Sequence, residues 1–311
     1  MIRVIKAGML TTVQDTGRWG YQSRGVPVAG PMDPCSHRVA NALVGNTRDA
    51  AALEITLLGP ELEFDDERVV AIAGAEFEVA LDGRAVPTHA PFLVPSRARL
   101  KFGQRHRGAR AYLAVAGGIA TPPVLGSRST HVISAMGGID GRPLRGGDLL
   151  PLFVATHQHS AGAPVSAIVP LPEREGRIRV LPGPQHEYFS PDALDVLQSD
   201  QYVIRQDSDR MGFRLHGPVL KHARGADVIS DATPLGVLQV PASGQPILLM
   251  ADRQTTGGYP KIATVITADM AIAGQLSPGD AIRFSVCTPH DAMAALIAQE
   301  RALMALEPQQ S

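Results

Sequence analysis

A mainly β fold with a few helices, built as two related β-barrels, is what this sequence predicts. Three observations lead there. Thirty-one glycines and 25 prolines are spread along all 311 residues rather than gathered in a tail. Between them lie short apolar runs bounded by turn residues, which read as buried strands. Many such runs without regular intervening helices favour barrels over a doubly wound sheet. Lastly, a faint internal echo links the two halves.

The apolar runs are Val69–Ala73, Ala90–Val94, Ala111–Val115, Ile247–Met250, Ile262–Ile266 and Ala281–Val286. Helices are expected where a capping oxygen precedes a proline, at Asp33-Pro34, Ser190-Pro191 and Thr288-Pro289. The side chain accepts from an orphan amide there, and proline at the first helical position lacks the donor that would go unpaired. After Asp33, Cys35, Val39, Ala40, Leu43 and Val44 recur at helical spacing until Gly45-Asn46. The last helix should bury Met293, Leu296, Ile297, Leu303 and Met304, with Thr288 and Asp291 as a capping box. A shorter helix should follow Thr267, through Met270 and Ile272.

Residues Ala155 to Glu175 are rich in Ala, Pro, Ser and His without periodicity and read as a linker. The expected domains are therefore 1–158 and 176–311, the second carrying the terminal helix. The echo crosses this linker. Arg18, Gly20, Tyr21 and Gly25 match Arg210, Gly212, Phe213 and Gly217 in spacing, and Gly147-Asp148 and Gly279-Asp280 each introduce a late strand.

A net charge of −1 provides no global attraction to nucleic acid or anionic membrane, and an aromatic share of 5% argues against base-stacking platforms. No apolar segment approaches the ~20 residues of a membrane span, and no signal peptide is visible, so a cytoplasmic protein is expected. Cys35 and Cys287 have no metal or redox spacing and are expected as buried free thiols. Phosphate loops, dinucleotide fingerprints, nucleophile elbows and zinc-protease pairs are missing, so a nucleotide would bind in an unfamiliar way or at a partner interface.

The most informative stretch runs from Met250 to Lys261. It sets Asp252, Arg253, Gln254, Thr255, Thr256, Gly257, Gly258, Tyr259 and Lys261 between two apolar strands. Arg253 and Lys261 could clamp a carboxylate or phosphate, with Gly257 and Gly258 permitting positive φ and leaving backbone amides open to an anion. A polar hairpin with structural turn glycines is the plainer account. A second candidate is the loop holding Gln14, Asp15, Arg18 and the only tryptophan, Trp19. Arg210 lies between Asp207-Ser208-Asp209 and Gly212, where a local ion-pair turn would explain it. His157 and His159 could face a metal from one strand, though no third ligand is near. His186 is a candidate general base that could equally satisfy local contacts.

Several segments then act together: Thr12–Asp15, Gly25–Pro27 with Gly30–Asp33, Ala40–Asn46, Glu54–Pro60, Arg110–Ile119, Leu125–Thr130, Ser208–Gly217 and Gly257–Tyr259. In order and spacing they resemble the biotin-dependent carboxyltransferase family, also called allophanate hydrolase subunit 2 or the 5-oxoprolinase C-subunit type. The resemblance implies cyclophilin-like β-barrels and a smaller partner, the B subunit. One branch is fused inside urea amidolyase as the carboxyltransferase of urea carboxylase. In the other, the B and C subunits work with an A subunit, opening 5-oxoproline to glutamate at the expense of ATP with Mg. This chain has no biotin attachment site, and its Asp252–Lys261 stretch looks like the oxoprolinase branch.

The expectation is thus one subunit of a cyclic-amide hydrolase that is active only in complex. Asp252, Arg253 and Lys261 are expected to be catalytic. Gln14, Asp15, Arg18, Arg210, Thr255, Thr256, Gly257, Gly258 and Tyr259 are expected to bind substrate, with no metal site. The alternatives are a urea-carboxylase-like carboxyltransferase subunit, or a non-catalytic regulator antagonising a kinase inhibitor.

Overall fold

Strands of β-branched and aliphatic residues, separated by glycine-bearing turns, assemble here into a nine-stranded sheet, a closed barrel and a two-stranded ladder. A computed structural model of the chain describes residues 1–155, 171–172 and 175–307. His157, His159 and most of the expected linker lie outside the described residues. The chain divides into two compact units. One holds Met1–Arg18, Ala29–Leu171 and Arg301–Ser311, and the other Trp19–Val28 and Pro172–Glu300. The expected domains were contiguous, 1–158 and 176–311, whereas the observed units exchange two pieces of chain.

The first unit contains β1 (Ile2–Lys6), β2 (Leu10–Gln14), β3 (Ala52–Thr56), β4 (Glu61–Phe64), β5 (Arg68–Leu81), β6 (Arg84–Ala85), β7 (Pro91–Val94), β8 (Arg99–Val115) and β9 (Leu149–Leu150). They form one sheet in the order β2-β3-β8-β4-β1-β9, with β5 pairing β6, β7 and β8. Register shifts between Gly74 and Val79 bend the long β5–β8 ribbon, as bulges do. Its inner face packs Ile2, Val13, Leu53, Phe64, Ile72 and Leu113, all fully buried. Helix α1 (Pro34–Leu43) starts where the sequence expects, with the Asp33 carboxylate accepting from the Ser36 amide at 3.0 Å.

Asp15 ties this unit's loops to β2. Its carboxylate accepts from the Ser127 and Ser129 hydroxyls and from the Arg128 and Gly17 amides. Burial pushes its pKa up, but these four donors outweigh burial and hold it below the ordinary value.

The second unit contains β10 (Glu175–Pro182), β11 (Tyr202–Ile204), β12 (Gly212–His216), β13 (Asp231–Ala232), β14 (Val237–Gln239), β15 (Ile247–Leu249), β16 (Thr256–Gly257), β17 (Lys261–Val265) and β18 (Ala281–Val286). Seven of them close a barrel, β10-β17-β14-β15-β12-β11-β18, while β13 and β16 pair separately. A mainly β architecture with a closed barrel is therefore borne out.

Two helix expectations need correction. Helix α2 (Ala193–Ser199) has Asp192 at its N-cap without a side-chain capping bond. Ser190-Pro191 is instead a preceding turn, in which the Ser190 carbonyl accepts from Ala193. The expected short helix is present as α3 (Met270–Gly274). Helix α4 (Pro289–Met304) has its capping box, with Thr288 and Asp291 exchanging amide-to-side-chain bonds of 3.1 Å each way. Yet only Leu303 is buried, and Met293, Ile297 and Met304 are exposed. Their spacing puts Met293, Ile297 and Met304 on one stripe and Leu296 with Leu303 on an adjoining one. Sequence alone cannot say which stripe faces inward. Among the described residues, no helix is long and apolar enough to cross a membrane. Cys35 is buried and Cys287 half-buried, and neither is in a disulfide.

One half of the internal echo is structural. Gly147 and Gly279 both adopt φ near +93°. Their amides donate to Val4 and Ile204, whose own amides donate to Asp148 and Asp280. Each aspartate also accepts, on Oδ2, from the amide three residues back, Arg145 or Ser277. The same turn closes both sheets.

Two expectations follow. A Cβ at Gly147 meets nothing within 4 Å and one at Gly279 meets only the Gln206 amide at 3.9 Å, so backbone strain alone is tested there. Gly147→Ala and Gly279→Ala should each cost about 1–2 kcal/mol, read by calorimetry as a similar drop of a few degrees in melting temperature. A steric clash at either turn would show as a much larger, unequal loss. The Asp15 carboxylate, with its folded pKa depressed, stabilises above the unfolded value of about 3.9 and loses that contribution as pH falls through the folded value. Melting curves between pH 7 and pH 2 should show Asp15→Asn flattening the acid limb; an unchanged acid limb would refute this role.

Candidate functional site

The polar stretch leaves the barrel at the end of β15 and returns as β17, and three anchors fix its path. The first is a buried ion pair. Arg210 donates from Nε and Nη2 to the two carboxylate oxygens of Asp252, at 2.9 and 3.1 Å, with both residues under 8% exposed. Asp252, expected as catalytic, and Arg210, expected to touch substrate, thus neutralise one another. The bidentate partner of Arg210 is thus 42 residues away in sequence. Asp209 caps the Met211 and Gly212 amides, and Asp207 pairs with Arg205.

The second anchor is Thr233, which sequence reasoning missed. Its hydroxyl donates to the Gln254 carbonyl and its amide to the Thr255 carbonyl. Its own carbonyl accepts from Arg253 Nε at 2.8 Å. The third is the β13–β16 ladder, pairing Asp231 with Gly257 and Ala232 with Thr256. Nothing in the sequence of residues 229–235 marked the segment out, because its bonds join residues about twenty positions apart.

Lys261 is 1% exposed, with Nζ 3.2 Å from Asp231 Oδ2. The Ala232 amide and then this ammonium hold the Asp231 pKa low. The expected clamp of Arg253 and Lys261 on one anion is therefore replaced by separate fates, because a buried ammonium needs a near counter-ion and Asp231 supplies it. Gly257 and Gly258 are not among the positive-φ residues, which corrects the expected anion-binding turn. A Cβ at Gly257 would instead lie 2.5 Å from Gln239 Nε2, so a side chain there would make the end of that amide shift. Thr256 and Tyr259 are exposed.

Arg253 remains. It is half-buried and lines a pocket of about 300 Å³ with Trp19, Gln22, Leu235, Gln254 and Thr255. No carboxylate among the described residues pairs with it at ion-pair distance. Burial lowers its pKa, and Asp252 only partly offsets this. A desolvated guanidinium without a counter-ion is a seat for a carboxylate or phosphoryl oxygen.

The first-unit candidates have other work. Gln14 donates to the Thr130 carbonyl and the Thr12 hydroxyl, and Arg18 donates to the Ser129 carbonyl. With Asp15 they are buried and hold the Ser127–Thr130 segment to β2. Of this loop, Trp19 and Gln22 reach the Arg253 pocket. The ring of His186 bonds the Gly183 carbonyl at 2.8 Å, a local contact. No group of three or more His, Cys, Asp or Glu able to hold a metal exists among the described residues.

Known proteins share this chain's sequence and fold. The family model for the carboxyltransferase domain, subdomains A and B, matches residues 24–286. The chain is 41% identical over 301 residues to the C subunit of 5-oxoprolinase from Escherichia coli, covering 97% of this chain and 96% of that protein. The corresponding protein of Haemophilus influenzae, of the same name, is 36% identical, with 94% and 93% covered. Urea amidolyase of Saccharomyces cerevisiae is 35% identical over 91% of this chain but only 16% of its own length. The crystal structure of K. lactis urea amidolyase superposes with a TM-score of 0.91 at 33% identity, covering 100% of this chain and 20% of that one. With a family model spanning most of its length and relatives matched end to end, the chain belongs to the carboxyltransferase-domain family, subdomains A and B.

Proposed function

We propose that this chain is the C subunit of an ATP-dependent 5-oxoprolinase. With the smaller B subunit and the A subunit, it opens 5-oxoproline to glutamate in the cytoplasm. The observation that carries this reading is the end-to-end likeness to two proteins named as C subunits of 5-oxoprolinase, at 96% and 93% of their lengths. The geometry supports it through Arg253, whose unpaired charge faces a pocket of about 300 Å³, large enough for a small ring acid. In this reading Arg253 holds the substrate carboxylate. Trp19 and Leu235 exclude water on the apolar side, and Thr233 keeps the guanidinium aimed.

ATP and Mg do not fit the described residues of this chain alone. There is one uncommitted cation in the pocket, no cluster of metal ligands and no phosphate loop. A phosphoryl group in transfer needs several cationic or amide contacts and a held metal. We therefore assign nucleotide binding to the partner subunits or an interface with them, and the isolated chain is expected to be inactive. The carboxyltransferase alternative draws on the fold shared with urea amidolyase, TM-score 0.91. It requires turnover of carboxybiotin with urea or a related amide.

Reconstitution decides between them. Mixed with the A and B subunits and ATP, the chain should release glutamate from 5-oxoproline, while alone it should release none. Full turnover by the single chain, or none by the assembled complex, would count against the proposal.

Two substitutions in the complex separate binding from folding. Arg253→Ala should lower kcat/KM by roughly 30- to 1000-fold, the equivalent of about 2–4 kcal/mol for a charge-assisted contact in a desolvated site. Its melting temperature should fall by a few degrees at most, for the lost bond to the Thr233 carbonyl, and Arg301→Ala on α4 should be silent in both assays. Asp252→Ala should instead destabilise by about 3–5 kcal/mol, because Arg210 is left buried without its partner. Near-wild-type kinetics in a correctly assembled Arg253→Ala complex would remove the carboxylate role.

A further inference from the structure

Residues 17–30 form a loop whose two ends meet. Gly17 and Gly30 both adopt φ of 90°, and a Cβ on Gly30 would lie 3.4 Å from the Gly17 amide nitrogen. The Asp15 carboxylate accepts from that amide at 2.9 Å. A compact stretch with closed ends is an Ω-loop, a form that presents binding residues from a fixed base. Its tip turns through the short 3₁₀ helix Gln22–Arg24, which Gly25 ends at φ 76°, and none of those three residues is buried.

Trp19, Gln22 and Val28 of this loop line the Arg253 pocket, and Gln22 is the polar one. Its Oε1 accepts from the Gly20 amide at 2.8 Å. A backbone N–H can only donate, so this bond fixes which way the Gln22 amide is turned. Nε2 keeps its two donors without a hydrogen-bond partner among the described residues. The residue is half-buried, and this nitrogen is not sealed from solvent. Other polar groups around the pocket are engaged. The Thr233 hydroxyl donates to the Gln254 carbonyl, and Gln254 Nε2 donates to Gln239 Oε1 at 3.2 Å. The Thr255 hydroxyl can accept as well as donate, which makes it a poor discriminator.

We propose that Gln22 is a specificity-determining residue of this pocket, its Nε2 donating to a carbonyl oxygen of the ligand whose carboxylate Arg253 holds. The ligand class is a small carboxylic acid with one uncharged carbonyl. A second carboxylate would find no second cation on the pocket wall, whereas a neutral acceptor needs only the amide. The inference rests on the reading of this pocket as the substrate site. It adds the residue that reads the oxygen and would reject the same acid without one.

Ligand-observed NMR titrations on the full chain should compare 5-oxoproline, 3-oxocyclopentane-1-carboxylate and cyclopentanecarboxylate. The two oxo acids should bind roughly fivefold or more tightly than the parent acid, and Arg253→Ala should weaken all three. Gln22→Met should erase the preference and leave cyclopentanecarboxylate binding unchanged. Should that variant fold poorly by circular dichroism, Gln22→Glu, which keeps an acceptor for Gly20 but lacks the donors, should erase the preference in its place. Equal binding of oxo and parent acids, no binding of any, or indifference to Arg253→Ala would overturn the proposal. So would a preference unchanged in the folded Gln22 variant, or an equal loss of all three acids there, the mark of a purely structural loop contact. Turnover of 5-oxoproline by the complex without this preference would remove the role of Gln22 and leave the 5-oxoprolinase reading. A preference that Gln22→Met erases, in a chain whose complex gives no turnover, would do the reverse.

Discussion

The Arg210–Asp252 pair is the constraint on which the polar stretch depends. Burying two charges is expensive and is offset only when geometry is good and remaining groups are satisfied. Here the contact is bidentate, and two backbone bonds flank it, Met250 to Met211 and Asp252 to Arg210. The segment after β15 is thus locked to the start of β12 before it enters solvent. With Asp252 fixed, Thr233 can take hold of the next three residues, and Arg253 and Gln254 receive fixed directions. Gln254 consequently lines the Arg253 pocket with its side-chain amide donating to Gln239.

Charge in this region is divided by counter-ion. Arg210 and Lys261 each have a carboxylate, Asp252 and Asp231, reached across 42 and 30 residues of chain. Arg253 has none among the described residues. In the sequence all three cations sit in comparable polar settings, and the number of nearby acids says little about which of them is cancelled. Long-range pairing decides it. This is why the stretch was legible as a place where chemistry could occur, while the individual roles were not.

Local signals were sound in part, the expected Ser190-Pro191 cap being a turn instead. The capping residues of α1 and α4 were readable because a cap involves residues three apart. The paired turns at Gly147 and Gly279 were readable for the same reason. What failed was any inference from shared letters to shared roles. Arg18 and Arg210 match in spacing, yet Arg18 reaches a backbone carbonyl while Arg210 reaches a carboxylate. Gly20 takes a positive φ, whereas Gly212 opens a strand. The exposed stripe of α4 failed differently, since two adjoining apolar stripes compete and tertiary packing alone selects one. Thr233 left no trace in the sequence because an isolated polar residue near a strand is ordinary there.

The distribution of functional groups also bears on why such a chain would act in company. The described residues provide recognition elements: an unpaired guanidinium over an apolar wall, and the Gln22 amide lining the same pocket. They do not provide what activates a stable lactam, since a cyclic amide resists hydrolysis until its oxygen is made a better electron sink. Neutralising a transferring phosphoryl group takes more cationic contacts than Arg253 alone, and Lys261 is committed to Asp231. In the proposed function the groups on the barrel hold and orient a small ligand, and the activating charge is assigned to the partner chains.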